Sequence, residues 1–166
     1  ARPGTPSWPR APDRRMPSHA ERRNLPYTPA QLFDLVVDID RYPEFLPWCV
    51  AARIRERKDD VIRADLVIGY KMIRERFTSR VVLDRPGRID VTYAEGPFKY
   101  LNNHWIFEPG PDGGTAGDFY VDFEFRSRML QAVIGAFFHE AVRRMVAAFE
   151  ARAKVLYGQG SAGART

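Results

Sequence analysis

SRMLQAVIGAFFHEAVRRMVAAFEARAKVLY, residues 127–157, runs without a proline and is rich in Ala, Arg and Met. Placed at about 100° per residue, Leu130, Ile134, Phe137, Phe138, Ala141, Val142, Met145, Val146, Ala148, Phe149, Ala153, Val155 and Leu156 share one side. His139, Glu140, Arg143, Arg144, Glu150 and Lys154 share the other, and Arg152 interrupts the apolar side near its end. A helix of this length extends about 45 Å, and its apolar arc covers roughly half the circumference, wider than the ~100° stripe of an ordinary surface helix. Such a helix needs a broad concave partner.

The residues before it supply one. His19–Leu25 reads as a short edge strand. A helix follows with its start signals in place: Thr28 to cap, Pro29 at the first helical position, and Gln31 to complete a capping box. Its apolar face is Leu32, Phe33, Leu35, Val36 and Ile39. Asp40 offers a second cap, and RYPEFLPWC continues as a short helix or turn bounded by Pro43 and Pro47. From residue 51 to residue 125 the period changes to two, broken by turn signals, which predicts five or six antiparallel strands. The inward sets are Ile62, Ala64, Leu66 and Ile68; Ile73, Glu75, Phe77, Ser79, Val81 and Leu83; Ile89, Val91 and Tyr93; Leu101, Asn103, Trp105 and Phe107; Phe119, Val121, Phe123 and Phe125. Turns are expected at Asp59-Asp60, Gly69-Tyr70, Arg85-Pro-Gly, residues 95–99 and PGPDGG. Neighbouring strands in such a meander pair antiparallel, and natural twist curls the sheet. The predicted class is α+β: one curled antiparallel sheet wrapped around a long C-terminal helix, with two short helices after the first strand.

At 166 residues, 45% hydrophobic and 13% aromatic, the chain is sized for a single compact domain, expected over 18–157. The formal charge of +5 resides mainly in the tails: residues 1–15 hold four Arg against one Asp, and Arg165 adds another cation, leaving about +1 elsewhere. A nucleic-acid face therefore has little support from composition. Residues 1–17, with five prolines, read as a disordered basic arm, with Met16 a plausible initiator; the prolines oppose an amphipathic organelle-targeting helix. Residues 158–166 read as a flexible tail. Cys49 is the sole cysteine, so no internal disulfide forms and a reducing compartment is expected. The longest apolar run, residues 132–138, is seven residues, far short of the roughly 20 that a membrane span needs.

The order of elements resembles the helix-grip fold of the START-like superfamily, which includes polyketide cyclases, plant allergens and lipid-binding proteins. The stretch YTPAQLFDLVVDIDRYPEFLPWC, residues 27–49, is similar to the signature of the coenzyme Q-binding family within it. ERFTSRV (75–81), GPFKYLNNHWIF (96–107) and VDFEFR (121–126) agree, so the likeness covers residues 19–157. It implies a non-enzymatic carrier of ubiquinone or a related isoprenoid lipid that supports respiration. No cofactor is implied, the tail is held between sheet and helix, and contact with a membrane surface is transient. The implied location is the bacterial cytoplasm or inner-membrane surface, or the mitochondrial matrix side. A related branch is a ribosome-association toxin, which implies the ribosome as partner instead.

Several residues carry candidate chemistry. Glu75 is a carboxylate in register with apolar neighbours: either a buried group whose pKa rises, so that the protonated form donates to a quinone carbonyl, or a surface group paired with Arg if the register slips near Gly69. Asn103 either donates to a carbonyl or makes a structural hydrogen bond. Tyr42, Phe45, Leu46, Trp48 and Cys49 form either the cavity wall or the junction of helix and sheet. Phe98, in a Gly-Pro-Phe loop, is expected to gate the cavity or dip into a bilayer. From the inward sets, Leu66, Ile73, Phe77, Val81, Tyr93, Trp105, Phe119, Val121 and Phe123 are candidate ligand contacts, and Phe137, Phe138, Ala141, Met145 and Phe149 face them from the helix. The outer-face row Arg74, Arg76, Arg80 offers a phosphate contact or simply a solvated face, weakened by interleaved acids. No catalytic or metal set emerges. His19, His104 and His139 fall in separate elements, and H-E-A-V-R at 139–143 fails the zinc helix pattern. General-base use of Glu75 in a cyclase is the remaining enzymatic alternative.

Overall fold

The computed structural model describes residues 18–70 and 72–158. The expected arm at 1–17 and the tail from 159 onward lie outside the described residues. The elements are β1 (Ser18–Leu25), α1 (Pro29–Val37), a 3-10 helix (Ile39–Glu44), β2 (Cys49–Lys58), β3 (Val61–Tyr70), β4 (Ile73–Asp84), β5 (Arg88–Glu95), β6 (Phe98–Pro109), a 3-10 turn (Pro111–Gly113), β7 (Thr115–Phe125) and α2 (Arg128–Tyr157). The strands form one seven-stranded sheet in the order β1-β7-β6-β5-β4-β3-β2, every pair antiparallel. The sheet curls around α2, giving the α+β helix-grip architecture that the sequence predicts.

Local chemistry explains most of the boundaries. Thr28 Oγ1 accepts from Gln31 N at 3.2 Å while Gln31 Oε1 accepts from Thr28 N at 2.9 Å, so the capping box forms as read. Asp40 does not cap the second helix. It lies inside the first turn, and its Oδ1 accepts from Ile54 N at 2.8 Å, tying that helix to β2 instead. Nor does Gly69-Tyr70 make a turn, because β3 continues through both. A Cβ on Gly69 would lie 2.8 Å from Val50 Cγ2, so glycine there permits the close approach of β2. Between β5 and β6 only Gly96 and Pro97 remain, and Gly96 adopts φ 142° with Phe77 against it.

α2 is capped by Ser127 Oγ, which accepts from Leu130 N at 3.2 Å, and ends at Gly158 with φ 78°. Its fully buried stripe is narrower than the sequence arc: Phe138, Val142, Val146, Phe149 and Ala153. Val155 and Leu156 are exposed, lying off the stripe that runs from Phe138 through Phe149 to Ala153. Arg152 sits within the apolar arc because its guanidinium lies 5.1 Å from the Phe45 ring centre and bonds Glu44 at 2.9 Å. Tyr27 Oη donates to Gly158 O at 3.1 Å, and Tyr157 Oη to Gln31 O at 3.0 Å, fastening the C-terminal end of α2 to α1.

Candidate functional site

Between the concave face of the sheet and α2 lies a cavity of about 460 Å³. Its walls come from alternate residues of β3 to β7, as the period of two dictates, from α2, and from the segment joining the 3-10 helix to β2. Of the residues that the sequence marks as ligand contacts, Trp48, Leu66, Ile73, Glu75, Phe77, Val81, Phe98, Asn103, Trp105, Val121, Phe123, Phe137, Phe138, Ala141, Met145 and Phe149 line it.

Tyr93 and Phe119 point inward but do not reach the cavity. Tyr93 packs 5.5 Å from the Phe98 ring with its hydroxyl buried and unpartnered. Phe119 is sealed against Trp105 at 4.7 Å. Facing inward sets the side of the sheet, and depth along the strand decides between cavity and core.

Phe98 overturns the expectation of an exposed gate or bilayer contact. It is 3% exposed and sits among Phe77, Tyr93, Phe123 and Phe125 at 4.6–5.6 Å, closing the cavity from within. Its position as the first residue of β6 places it in the sheet rather than the turn. A second aromatic group, Tyr42, Phe45, Trp105 and Phe149, joins the 3-10 helix to sheet and helix. Tyr42 Oη donates to Val36 O, and burial pushes its pKa well up.

Exposure identifies the mouth. Of the lining residues Phe137, Glu140 and Arg144 are exposed, and Trp48, Tyr70 and Glu75 are among those partly exposed. Trp48 adopts φ 64°, a left-handed conformation costly for a bulky residue, and its indole meets Tyr70 edge-on at 5.9 Å. Tyr70 in turn lies 6.1 Å from Phe137. Glu140 and Arg144, assigned from the sequence to the solvated side of α2, line this mouth and pair at 2.9 Å. A helical wheel cannot separate the edge of a cavity from open solvent.

The polar inventory is short. Asn103 makes structural bonds: its Nδ2 donates to Tyr120 O at 2.9 Å and its Oδ1 accepts from Trp105 Nε1 at 2.8 Å. Ser79 Oγ faces Ala64 O at 3.5 Å. Cys49 Sγ turns to Ala51 O at 3.7 Å, and burial pushes the thiol pKa up to about 11. Glu75 keeps the inward register, opposite Ile68, and no ion pair or hydrogen bond meets its carboxylate among the described residues.

Outside the cavity, and among the described residues, Arg76 alone of the outer-face row is drawn to an acid, together with two arginines of β2. Arg76, Arg55 and Arg53 approach Asp65 Oδ2 at 3.0, 3.5 and 3.8 Å, and Thr78 Oγ1 donates to Asp65 Oδ1 at 2.6 Å. Burial pushes the Asp65 carboxyl up, but Thr78, Arg76 and Arg55 outweigh it and hold it below the usual range. His19 and His139, remote in sequence, meet at 3.5 Å between ring nitrogens, and Glu21 takes the other nitrogen of His19 at 2.8 Å. Among the described residues, no group of three or more potential ligands is arranged to hold a metal. No described helix is long and apolar enough to cross a membrane.

A curled antiparallel sheet gripping a long terminal helix, with an apolar cavity between them, defines a protein of the START-like class. The chain belongs to the family described as polyketide cyclase / dehydrase and lipid transport, which matches residues 25–150. It is 41% identical over 143 residues to the ribosome association toxin RatA of Rickettsia prowazekii, spanning 84% of this chain and 97% of that relative. It is 34% identical over 146 residues to the mitochondrial coenzyme Q-binding protein COQ10 homolog B of Xenopus laevis, spanning 85% of this chain and 59% of the relative. Among solved structures, an 18 kDa protein of Caulobacter crescentus is 40% identical with a TM-score of 0.70, spanning 86% of this chain and 99% of that one. Zhui aromatase/cyclase from a Streptomyces species has a TM-score of 0.74 over 87% of this chain and 99% of its own, at 16% identity, a likeness of fold alone.

Proposed function

We propose that this protein binds a polyprenyl quinone such as ubiquinone, or a related isoprenoid lipid, in the cavity and carries it unchanged in support of respiratory electron transfer. The cavity itself carries the reading: at about 460 Å³ and lined chiefly by aromatic and aliphatic side chains, it falls within the ~300–1,000 Å³ typical of small-molecule sites. Each buried CH₂ of a prenyl chain contributes roughly 0.8 kcal/mol. A carrier without catalysis agrees with the lining, since Tyr42, Ser79 and Cys49 all turn to backbone carbonyls rather than to an acid or base that would activate them. Cyclase action through Glu75 is the enzymatic alternative, and loss of turnover in Glu75→Gln would be its sign. The decisive experiment is organic extraction of purified protein followed by mass spectrometry. A polyprenyl quinone should be recovered, and repeated recovery of empty protein that takes up no added quinone would refute the carrier reading.

A second reading has its own support. Relatives named ribosome association toxin are 41% and 38% identical to this chain over nearly their whole length. Under it the partner is a ribosomal subunit, and the protein co-sediments with subunits at moderate salt. Binding that vanishes when residues 1–15 are deleted would instead reflect counterion release by the basic segment.

A further inference from the structure

We infer that the cavity selects a neutral ligand that brings its own hydrogen-bond donor to Glu75, so that a ring bearing hydroxyl groups, such as a hydroquinone, binds in preference to the matching quinone or to a fatty-acid carboxylate. This rests on the carrier reading above and narrows it to one redox state of the ring.

Among the described residues the donors in the depth of the cavity are spent, and at its mouth, where the Trp48 indole also lies, Glu75 is left as an acceptor. Trp105 Nε1 donates to Asn103 at 2.8 Å, Asn103 Nδ2 to the Tyr120 carbonyl at 2.9 Å, and Tyr42 Oη to the Val36 carbonyl. Ser79 has Ala64 O as its acceptor at 3.5 Å. Glu75 alone brings a charge into the wall without a described partner. A carboxylate offers about four lone-pair positions and no donor. Its place is fixed by the ladder: Glu75 pairs with Ile68, two residues from the last pair, Tyr70 with Ile73, and hence about 7 Å in from the end of the hairpin. Glu75 is partly exposed, so its oxygens are open to water that a ligand would displace.

The charge of the site has the same consequence. The protein carries +5, yet among the described residues the charged ones lining the cavity are Glu75, Glu140 and Arg144, which sum to −1. Glu140 and Arg144 neutralise each other at 2.9 Å, so among the described lining residues no charge compensates Glu75. A quinone turns carbonyl lone pairs toward that carboxylate and offers it no donor in place of the water it displaces, an outcome that selects against it. A fatty acid brings a second anion into a low-dielectric site. A hydroquinone hydroxyl donates to Glu75 in a charge-assisted bond, the stronger kind of neutral-to-ion contact.

The test is calorimetric titration of the full chain under anaerobic conditions with a short-chain prenylated hydroquinone, its quinone, its dimethyl ether and a fatty acid of equal length. The hydroquinone should bind about tenfold or more tightly than the other three, the value of one hydrogen bond to a charged group. In Glu75→Gln, whose amide can donate to a carbonyl, that preference should shrink to about twofold or reverse. Equal affinity for quinone and hydroquinone in the wild type overturns the selectivity and leaves the carrier reading standing, as does a preference unchanged in Glu75→Gln. Absence of binding by both ring forms overturns the two together. The wild-type comparison of ligands needs no variant to fold.

Discussion

Ala141 lies on α2 one turn from both Phe137 and Met145, half-buried, with its methyl on the cavity. Replacing it with Phe distinguishes a cavity from a packed core by the sign of the effect. Complete burial of a Phe side chain contributes about 1.5–3 kcal/mol, and a site that is half-buried realises about half of that. The lower helix propensity of Phe removes about 0.5 kcal/mol. Ala141→Phe should therefore stabilise the fold by about 0.3–1 kcal/mol, a rise of up to about 4 °C in Tm for a domain of this size. In a packed core the same insertion costs about 1–3 kcal/mol through off-rotamer side chains and backbone shifts. Urea unfolding with the slope held constant gives the sign, and titration with a short-chain prenyl quinone gives the second readout. The ring occupies space that the ligand would use, so affinity should fall at least about tenfold, provided the wild type binds the probe. Loss of 1 kcal/mol or more would show that α2 packs directly on the sheet at this point. Stabilisation with unchanged affinity would show that the ligand site lies elsewhere.

Phe98→Ala removes a ring held by four aromatic neighbours and should destabilise the fold by about 3–5 kcal/mol in denaturant melts; a negligible change would restore the picture of an exposed loop residue. With its pKa pushed up to about 11, Cys49 is ionised at pH 8 in roughly one molecule in a thousand, against about one in four for an ordinary thiol. Alkylation should thus run about 250-fold slower than in the unfolded chain, and bound ligand should slow it further, because Cys49 lines the cavity. The depressed folded pKa of Asp65 makes its contribution complete above about pH 5, diminishing as pH falls through the ordinary Asp value of about 3.9 and absent below the lower folded value. Asp65→Asn should accordingly flatten the acid limb of the stability–pH curve, and an unchanged limb would exclude this site as its source.

Period-two alternation made the strand faces legible because a sheet with one buried face fixes its register at every residue. Glu75 shows how far that goes: its inward position followed from Ile73 and Phe77 on either side, across a hairpin whose turn was misplaced by two residues. The capping box was equally legible, being a local bond between Thr28 and Gln31 that no tertiary contact opposes. Phe98 failed for the opposite reason. Gly-Pro signals a turn, yet the turn uses only Gly96 and Pro97, and what draws Phe98 inward is a cluster from three other strands. Tyr93 and Phe119 failed on depth, which alternation does not encode. Glu140 and Arg144 failed because a wheel records direction around the helix but not where the sheet ends beneath it.

The strand order β1-β7-β6-β5-β4-β3-β2 has a consequence for how the chain acquires its shape. Strands β2 to β7 pair in succession across short turns, whereas Leu25 meets Thr115 and Ser18 meets Asp122. Of these seven strands, the first to be made is therefore the one whose neighbour is made last, and the entropy of closing so long a loop falls on this single seam. Until β7 arrives, β1 is an unpaired edge on a nascent chain, and α2, which packs on β7, follows directly behind. Sheet, helix and cavity thus reach completion together, once β7 and α2 are in place.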